Sequence, residues 1–208
     1  MKTKAKKLVT LILTALLVLS ILPMNVFAAQ IGADSKASIT IENAVENDKL
    51  SAYKVVDITY NDGNNTLTYA WNSAFAEYFT AYTVKQFAAL DSDALNRLLA
   101  GLPKYIADKS ITPVDTQTVA TNGTATFANL AMGEYFIRPT STTSVYQLML
   151  QKVEPTVSGN KYVINDLTFT AKHKEVTVDK TADKTSVTKN EKVTYTIKVD
   201  VPTYATGA

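Results

Sequence analysis

The sequence predicts a mainly β chain, a β-sandwich that carries a helical insertion. Two observations lead there. Short segments rich in β-branched and aromatic residues recur along the chain, separated by turns built from Gly, Pro and Asn. Between residues 74 and 108 the pattern changes: Val84, Phe87, Leu90, Ala94, Leu95, Leu98 and Leu99 recur at the three- and four-residue steps of a helix.

The N-terminus reads as an export signal. Lys2, Lys4, Lys6 and Lys7 precede an apolar run over residues 8–22, interrupted only by Thr10, Thr14 and Ser20 and closed by Pro23. The run falls short of the roughly 20 residues that span a bilayer as a helix. Val26 and Ala28 satisfy the small-x-small rule for cleavage after Ala28. Residues 1–28 are therefore the expected signal peptide, and Ala29 the first mature residue.

That leader holds four of the 21 basic residues and none of the 19 acidic ones, so the chain beyond it has a net charge of −2. Neither nucleic acid nor an acidic membrane surface is implied as a partner. The absence of cysteine excludes disulfides, thiolate catalysis and Cys-type zinc sites. His173 is the only histidine, which rules out a His-based triad or a multi-His metal site within the chain, and in its charged surroundings it reads as exposed. The seven glycines are scattered in turns and form no phosphate-binding loop. Asp91 and Asp93 could pair as glycosidase carboxyls, but they lie on the polar side of the helical pattern. Trp71 and the tyrosines could stack on sugars, although sandwich cores use aromatics routinely. The expectation is no catalytic residue, no metal site and no cofactor.

In chain order, strands are expected over residues 37–41, 52–60 and 66–71. The last two are joined by a hairpin turn at Asn61-Asp62-Gly63-Asn64-Asn65, where Gly and Asn accept positive φ. That turn does not have the spacing of an EF-hand calcium loop. The helical segment packs its apolar side on the sheet, and its best turn is stopped by Gly101 and Pro103. Strands resume over 116–120 and, after Asn122-Gly123, over 124–127; then come 134–138, 145–153, 161–164 and 167–171. Residues 172–175 read as a charged hinge, followed by strands over 175–180 and 192–201. Two strands cannot bury a stable core alone. The expectation is a first domain over 29–172, a hinge with the incomplete start of a second domain over 173–208, and hence the front part of a longer protein.

Several segments together carry a resemblance that covers most of the chain beyond the leader. They are Ser38-Ile39-Thr40-Ile41 with Leu50-Ser51-Ala52-Tyr53-Lys54-Val55-Val56-Asp57-Ile58, Asn122-Gly123-Thr124-Ala125-Thr126-Phe127 with Gly133-Glu134-Tyr135-Phe136-Ile137, and Val178-Asp179-Lys180 with Val193-Thr194-Tyr195-Thr196-Ile197. They resemble the major (backbone) pilins of Gram-positive bacteria. The resemblance implies immunoglobulin-like β-sandwich domains, a cell-wall or cell-surface location, and a structural role in a pilus shaft whose subunits are joined by a sortase. The family's acceptor lysine closes a Val-x-Val-Tyr-Pro-Lys motif at the end of the first domain. Leu167-Thr168-Phe169-Thr170-Ala171-Lys172 stands in that place, with Thr170-Ala171 where the family has Tyr-Pro and Val163 at the spacing of an upstream Trp.

The resemblance thus implies Lys172 as the acceptor, with Lys174 as the alternative. An exposed lysine, with a pKa of about 10.4, is protonated at neutral pH, so the enzyme must orient the amine and remove its proton. The resemblance also implies an intramolecular amide between an asparagine and Lys180, or alternatively Lys184, with the asparagine and its helper acid beyond Ala208. In the first domain, Pro139 stands where the family places that acid, and Glu134 has the wrong parity to share Tyr135's face. No bond of that type is expected there. Implied partners are further copies of the chain, a pilus-specific sortase, minor pilins and host ligands. A surface adhesin or minor pilin that binds a host protein or glycan is the alternative, and a secreted carbohydrate-active enzyme is a third reading.

Overall fold

A computed structural model describes residues 31–32, 35–61, 63–141, 143–158 and 161–200. The leader with its cleavage residues Ala28 and Ala29, and Asp62 of the hairpin turn, lie outside the described residues. The strands β1 (Lys36–Glu42), β2 (Lys49–Asn61) and β3 (Thr66–Trp71) come first, then the helices α1 (Val84–Phe87), α2 (Ser92–Ala100) and α3 (Leu102–Asp108). They are followed by β4 (Asp115–Thr118), β5 (Ala125–Ala131), β6 (Gly133–Thr140), β7 (Ser144–Tyr146) and β8 (Met149–Val153). The remaining strands are β9 (Thr156–Ser158), β10 (Lys161–Val163), β11 (Leu167–Thr170), β12 (His173–Glu175), β13 (Thr177–Ala182) and β14 (Tyr195–Asp200).

The chain is mainly β, and its centre is a sandwich. One sheet runs β11-β1-β5, with β1 parallel to β11 and antiparallel to β5. The other runs β3-β2-β6-β8, and β4 pairs with the first half of β2 on the side that β3 occupies at its second half. Ile39, Ile41 and Phe127 of the first sheet meet Leu50, Ala52, Tyr135, Ile137 and Met149 of the second, all nearly inaccessible to solvent. Alternation along β1 puts every second side chain into this core.

The larger sheet is covered on its other face as well. Phe79, Phe87, Leu99, Leu102 and Ile106 from the helical segment pack on Val56, Ile58 and Phe136. Trp71 stacks on Phe79 with centroids 4.2 Å apart, and its indole N–H donates to the Tyr82 carbonyl at 2.9 Å. One face of that ring is therefore taken up by packing. β2 serves both cores through a bulge: Lys54 pairs with Tyr135 and Val56 with Glu134, so Val55 is the extra residue and the inward parity switches. Leu50 and Ala52 face the other sheet, whereas Val56, Ile58 and Tyr60 face the helices.

Three details depart from the sequence expectations, and a fourth, the burial of Glu134, lies outside them. The strand expected over 145–153 is two strands in different sheets, because the chain crosses from β7 to β8 at residues 147–148. Gly101 ends α2 but also starts α3, with Pro103 in the first turn, where a missing N–H costs no helical bond. Glu134 is only 8 % exposed, since a strand in the middle layer of three buries both faces. Residues 173–175 are a strand rather than a hinge, paired with β7, and the Val176 N–H continues the pairing to the Thr143 carbonyl at 2.8 Å. Among the described residues, no helix is long and apolar enough to cross a membrane.

Candidate functional site

The lysines singled out by the sequence fall into two groups. Lys172 lies between β11 and β12, where the chain leaves the sandwich sheet and joins β7. Its side chain is exposed, while Ala171 before it is fully buried. The backbone is held on both sides of Lys172. The Ala171 N–H donates to the Glu42 carbonyl at 2.8 Å, and the Ala171 carbonyl accepts from Asn43 Nδ2 at 2.9 Å. The Lys172 carbonyl accepts from the Gln147 N–H at 2.9 Å. The arrangement is an outward amine on a fixed peptide.

Lys174 is exposed too, two residues along and on the same side of the strand, paired with Val145. His173 points the other way. The sequence suggests an exposed histidine, but the ring is half-buried 5.3 Å from that of Tyr146, and its Nδ1 has no hydrogen-bond partner among the described residues. Because Lys172 and His173 occupy opposite faces, the imidazole is not placed to take a proton from the Lys172 amine.

Beneath this segment is a buried polar cluster that sequence reasoning missed. The Tyr146 hydroxyl accepts from the Val45 N–H at 2.8 Å and donates to Asp48 Oδ2 at 2.5 Å. Asp48 is 7 % exposed. Asn43 and Asn47 bound the turn with φ of 56° and 67°, a conformation that asparagine tolerates better than most residues. That pair of asparagines is the only local signal the sequence carries for this turn. A groove of about 400 Å³ runs beside β7, lined by Arg138, Pro139, Ser144, Tyr146, Gln147 and Leu148.

Lys180 lies in β13, opposite Ile197 of β14. Directly opposed residues share a face, so Lys180 stands with Val178, Val199, Ile197 and Tyr195, and its Nζ is 4.2 Å from the Tyr195 ring centroid. This apolar face is solvent-exposed. Lys184 lies after β13, where its Nζ pairs with Glu191 Oε1 at 2.5 Å. That contact and bonds from Thr188 hold the Glu191 carboxyl below its ordinary pKa.

Asp91 caps α2 by accepting from the Ala94 N–H at 2.7 Å. A second groove, about 670 Å³, opens between β3 and α1, where the Tyr69 hydroxyl donates to Glu154. Burial, with Glu154 adding to it, pushes the Tyr69 pKa up to about 12.

No family model and no curated protein matches the chain. Among solved structures, the chain is similar to the T6 backbone pilin of serotype M6 Streptococcus pyogenes, with 20 % identity and a TM-score of 0.54 over 84 % of this chain and 37 % of that one. It is also similar to the full-length major pilin SpaD from Corynebacterium diphtheriae, with 19 % identity and a TM-score of 0.47 over 85 % of this chain and 39 % of the other. The chain thus spans less than two-fifths of the length of either structure.

Proposed function

We propose that this chain is a structural subunit of a covalently polymerised surface pilus, and that the Lys172 amine accepts the next subunit. In the joining step a sortase holds the C-terminal carbonyl of one subunit as a thioester on its cysteine. The lysine nitrogen, once deprotonated, attacks that carbonyl; an amide forms, the carbon–sulfur bond breaks, and the thiolate takes up a proton. The chain supplies the nucleophile and its placement, and the enzyme supplies the chemistry.

The observation that carries this reading is the combination at Lys172 of an exposed amine with a peptide bonded at both neighbouring carbonyls. A side chain on a fixed backbone loses less freedom on docking than one on a flexible linker. The fold shared with the T6 backbone pilin supports it. Lys174 is the alternative acceptor, exposed on the same side.

Lys180 is proposed to form an intramolecular amide with an asparagine supplied after Ala208. Its neutral nitrogen attacks the carboxamide carbon, and ammonia leaves. The apolar face that Lys180 shares with Val178, Ile197 and Val199 favours the neutral amine once covered. Lys184 is the weaker candidate because Glu191 pairs with its charged form. Expected partners are copies of the same chain, a pilus sortase and minor pilins.

The test is made in the source bacterium. Wall extracts boiled in detergent should show a ladder of covalent multimers, and Lys172→Ala should reduce it to monomer. A ladder that survives Lys172→Ala but disappears with Lys174→Ala moves the acceptor by two residues. A ladder that survives both substitutions refutes both lysines as acceptors, and the absence of any ladder from the wild-type chain sinks the shaft reading and favours an adhesin.

A further inference from the structure

Tyr146 and Asp48 have no part in the acceptor reading so far, and together with Asn43, whose bond to the Ala171 carbonyl is already in it, they add a component. Among the described residues, β7 and β12 form a two-stranded ladder with a register of three residues each, separate from both sheets of the sandwich. A two-stranded ladder this short is not stable in water by itself. The segment that carries Lys172 and Lys174 therefore depends on something outside the ladder to hold it.

The turn after β1 provides that hold at two points. The Asn43 side chain bonds the Ala171 carbonyl at 2.9 Å, and the turn grips the Tyr146 hydroxyl from both sides, through the Val45 N–H and the Asp48 carboxylate. Tyr146 is directly opposite His173 in the register, and the next residue, Gln147, bonds the Lys172 carbonyl. A phenylalanine could fill Tyr146's place in the core without any buried carboxylate. Burying Asp48 to hold the hydroxyl gains fixed geometry rather than additional packing.

We propose that Asn43, Asp48 and Tyr146 are positioning residues of the acceptor site, a clamp that fixes the peptide bearing Lys172 so that its amine is presented in one orientation. The proposal rests on Lys172 being the acceptor, and its test separates the two claims.

The first readout is backbone deuterium exchange in the mature chain. Tyr146→Phe and Asp48→Leu should each speed exchange of residues 171–176 by about tenfold or more, while residues 133–137 in the middle of the larger sheet keep wild-type protection. Asp48→Asn keeps an acceptor for the hydroxyl and should stay within about threefold of wild type. The second readout is the rate of ladder growth in the source bacterium, which should fall about tenfold for Tyr146→Phe and stay within about threefold of wild type for Asp48→Asn. Phe87→Leu, which loosens the helical layer instead, should lower the melting temperature but leave both readouts unchanged; that outcome separates positioning from general stability. Wild-type exchange over 171–176 in Tyr146→Phe overturns the clamp, as does wild-type ladder growth in a Tyr146→Phe chain that folds. If Asp48→Leu does not fold, Tyr146→Phe alone decides. If Lys172→Ala leaves the ladder intact, the acceptor assignment fails, and the exchange data still decide whether the turn holds the segment.

Discussion

Gly133→Ala should lower the stability of the sandwich by an amount its surroundings allow to be worked out. Gly133 pairs with Asp57 of β2, next to the bulge at Val55. A methyl group added there would touch the Lys54 stem and would lie 2.7 Å from the backbone carbonyl of Val56. The first contact is with a flexible side chain and is relieved if Lys54 moves, at the expense of its 2.8 Å ion pair with Asp57. That pair is partly exposed and contributes little. The second contact is with backbone inside a hydrogen-bonded ladder, so β2 and β6 must separate locally. Overpacking of this kind costs about 1–3 kcal/mol. For a domain of this size, each kcal/mol lowers Tm by about 2–4 °C, which makes the expected loss about 2–12 °C. The assay is thermal unfolding of the mature chain followed by circular dichroism, with Lys54→Ala as a second background. If the Val56 carbonyl is the obstacle, Gly133→Ala costs as much in Lys54→Ala as in wild type. An unchanged Tm, or full rescue by Lys54→Ala, refutes the reasoning.

Two further outcomes follow from the helical layer and the buried carboxyl. Asp91→Ala removes the side chain that caps α2 and should cost about 1 kcal/mol in a denaturant titration, while Asp91→Asn or Asp91→Ser should recover most of it. Burial, with Glu154 adding and Lys152 opposing, raises the Glu134 pKa above its unfolded value. The folded state then binds more protons than the unfolded state in the interval above about pH 4.3, so this group's contribution to stability falls as pH rises through that interval. Glu134→Gln should flatten that part of a Tm-against-pH curve, and an identical slope in the variant would show that another group sets it.

The sandwich was legible because its strands are short and alternate, and because Gly, Pro and Asn mark their ends. The hairpin turn between β2 and β3 lies where Asn61 and Asn65 predict it, with Asn65 at a φ of 54°. The three-layer arrangement was harder to see. Gly133-Glu134-Tyr135-Phe136-Ile137 reads as a half-buried strand, and only the helical layer on its far side explains why all five residues are buried. The split within 145–153 left no mark in the sequence either. The run holds no Gly, Pro or Asn to mark a break, and Tyr146 at its start is bonded to Val45 and Asp48 across about a hundred residues.

The resemblance singled out Lys172, and the exposure of its side chain follows from local alternation. Leu167, Phe169 and Ala171 turn toward the sandwich core, and Thr168, Thr170 and Lys172 turn away from it. The register of β11 against β1, with Leu167 beside Ile39 and Phe169 beside Ile41, therefore also decides that an amine faces out at position 172. A slip of one residue would expose Ala171 and bury the lysine. The same parallel pairing carries the ends of β1 and β11 to a common edge, so Glu42 and Asn43 reach the Ala171 peptide from a distance of 128 or more residues in sequence. Apolar packing between β1 and β11 thus decides both that Lys172 faces outward and that the turn after β1 lies beside its peptide.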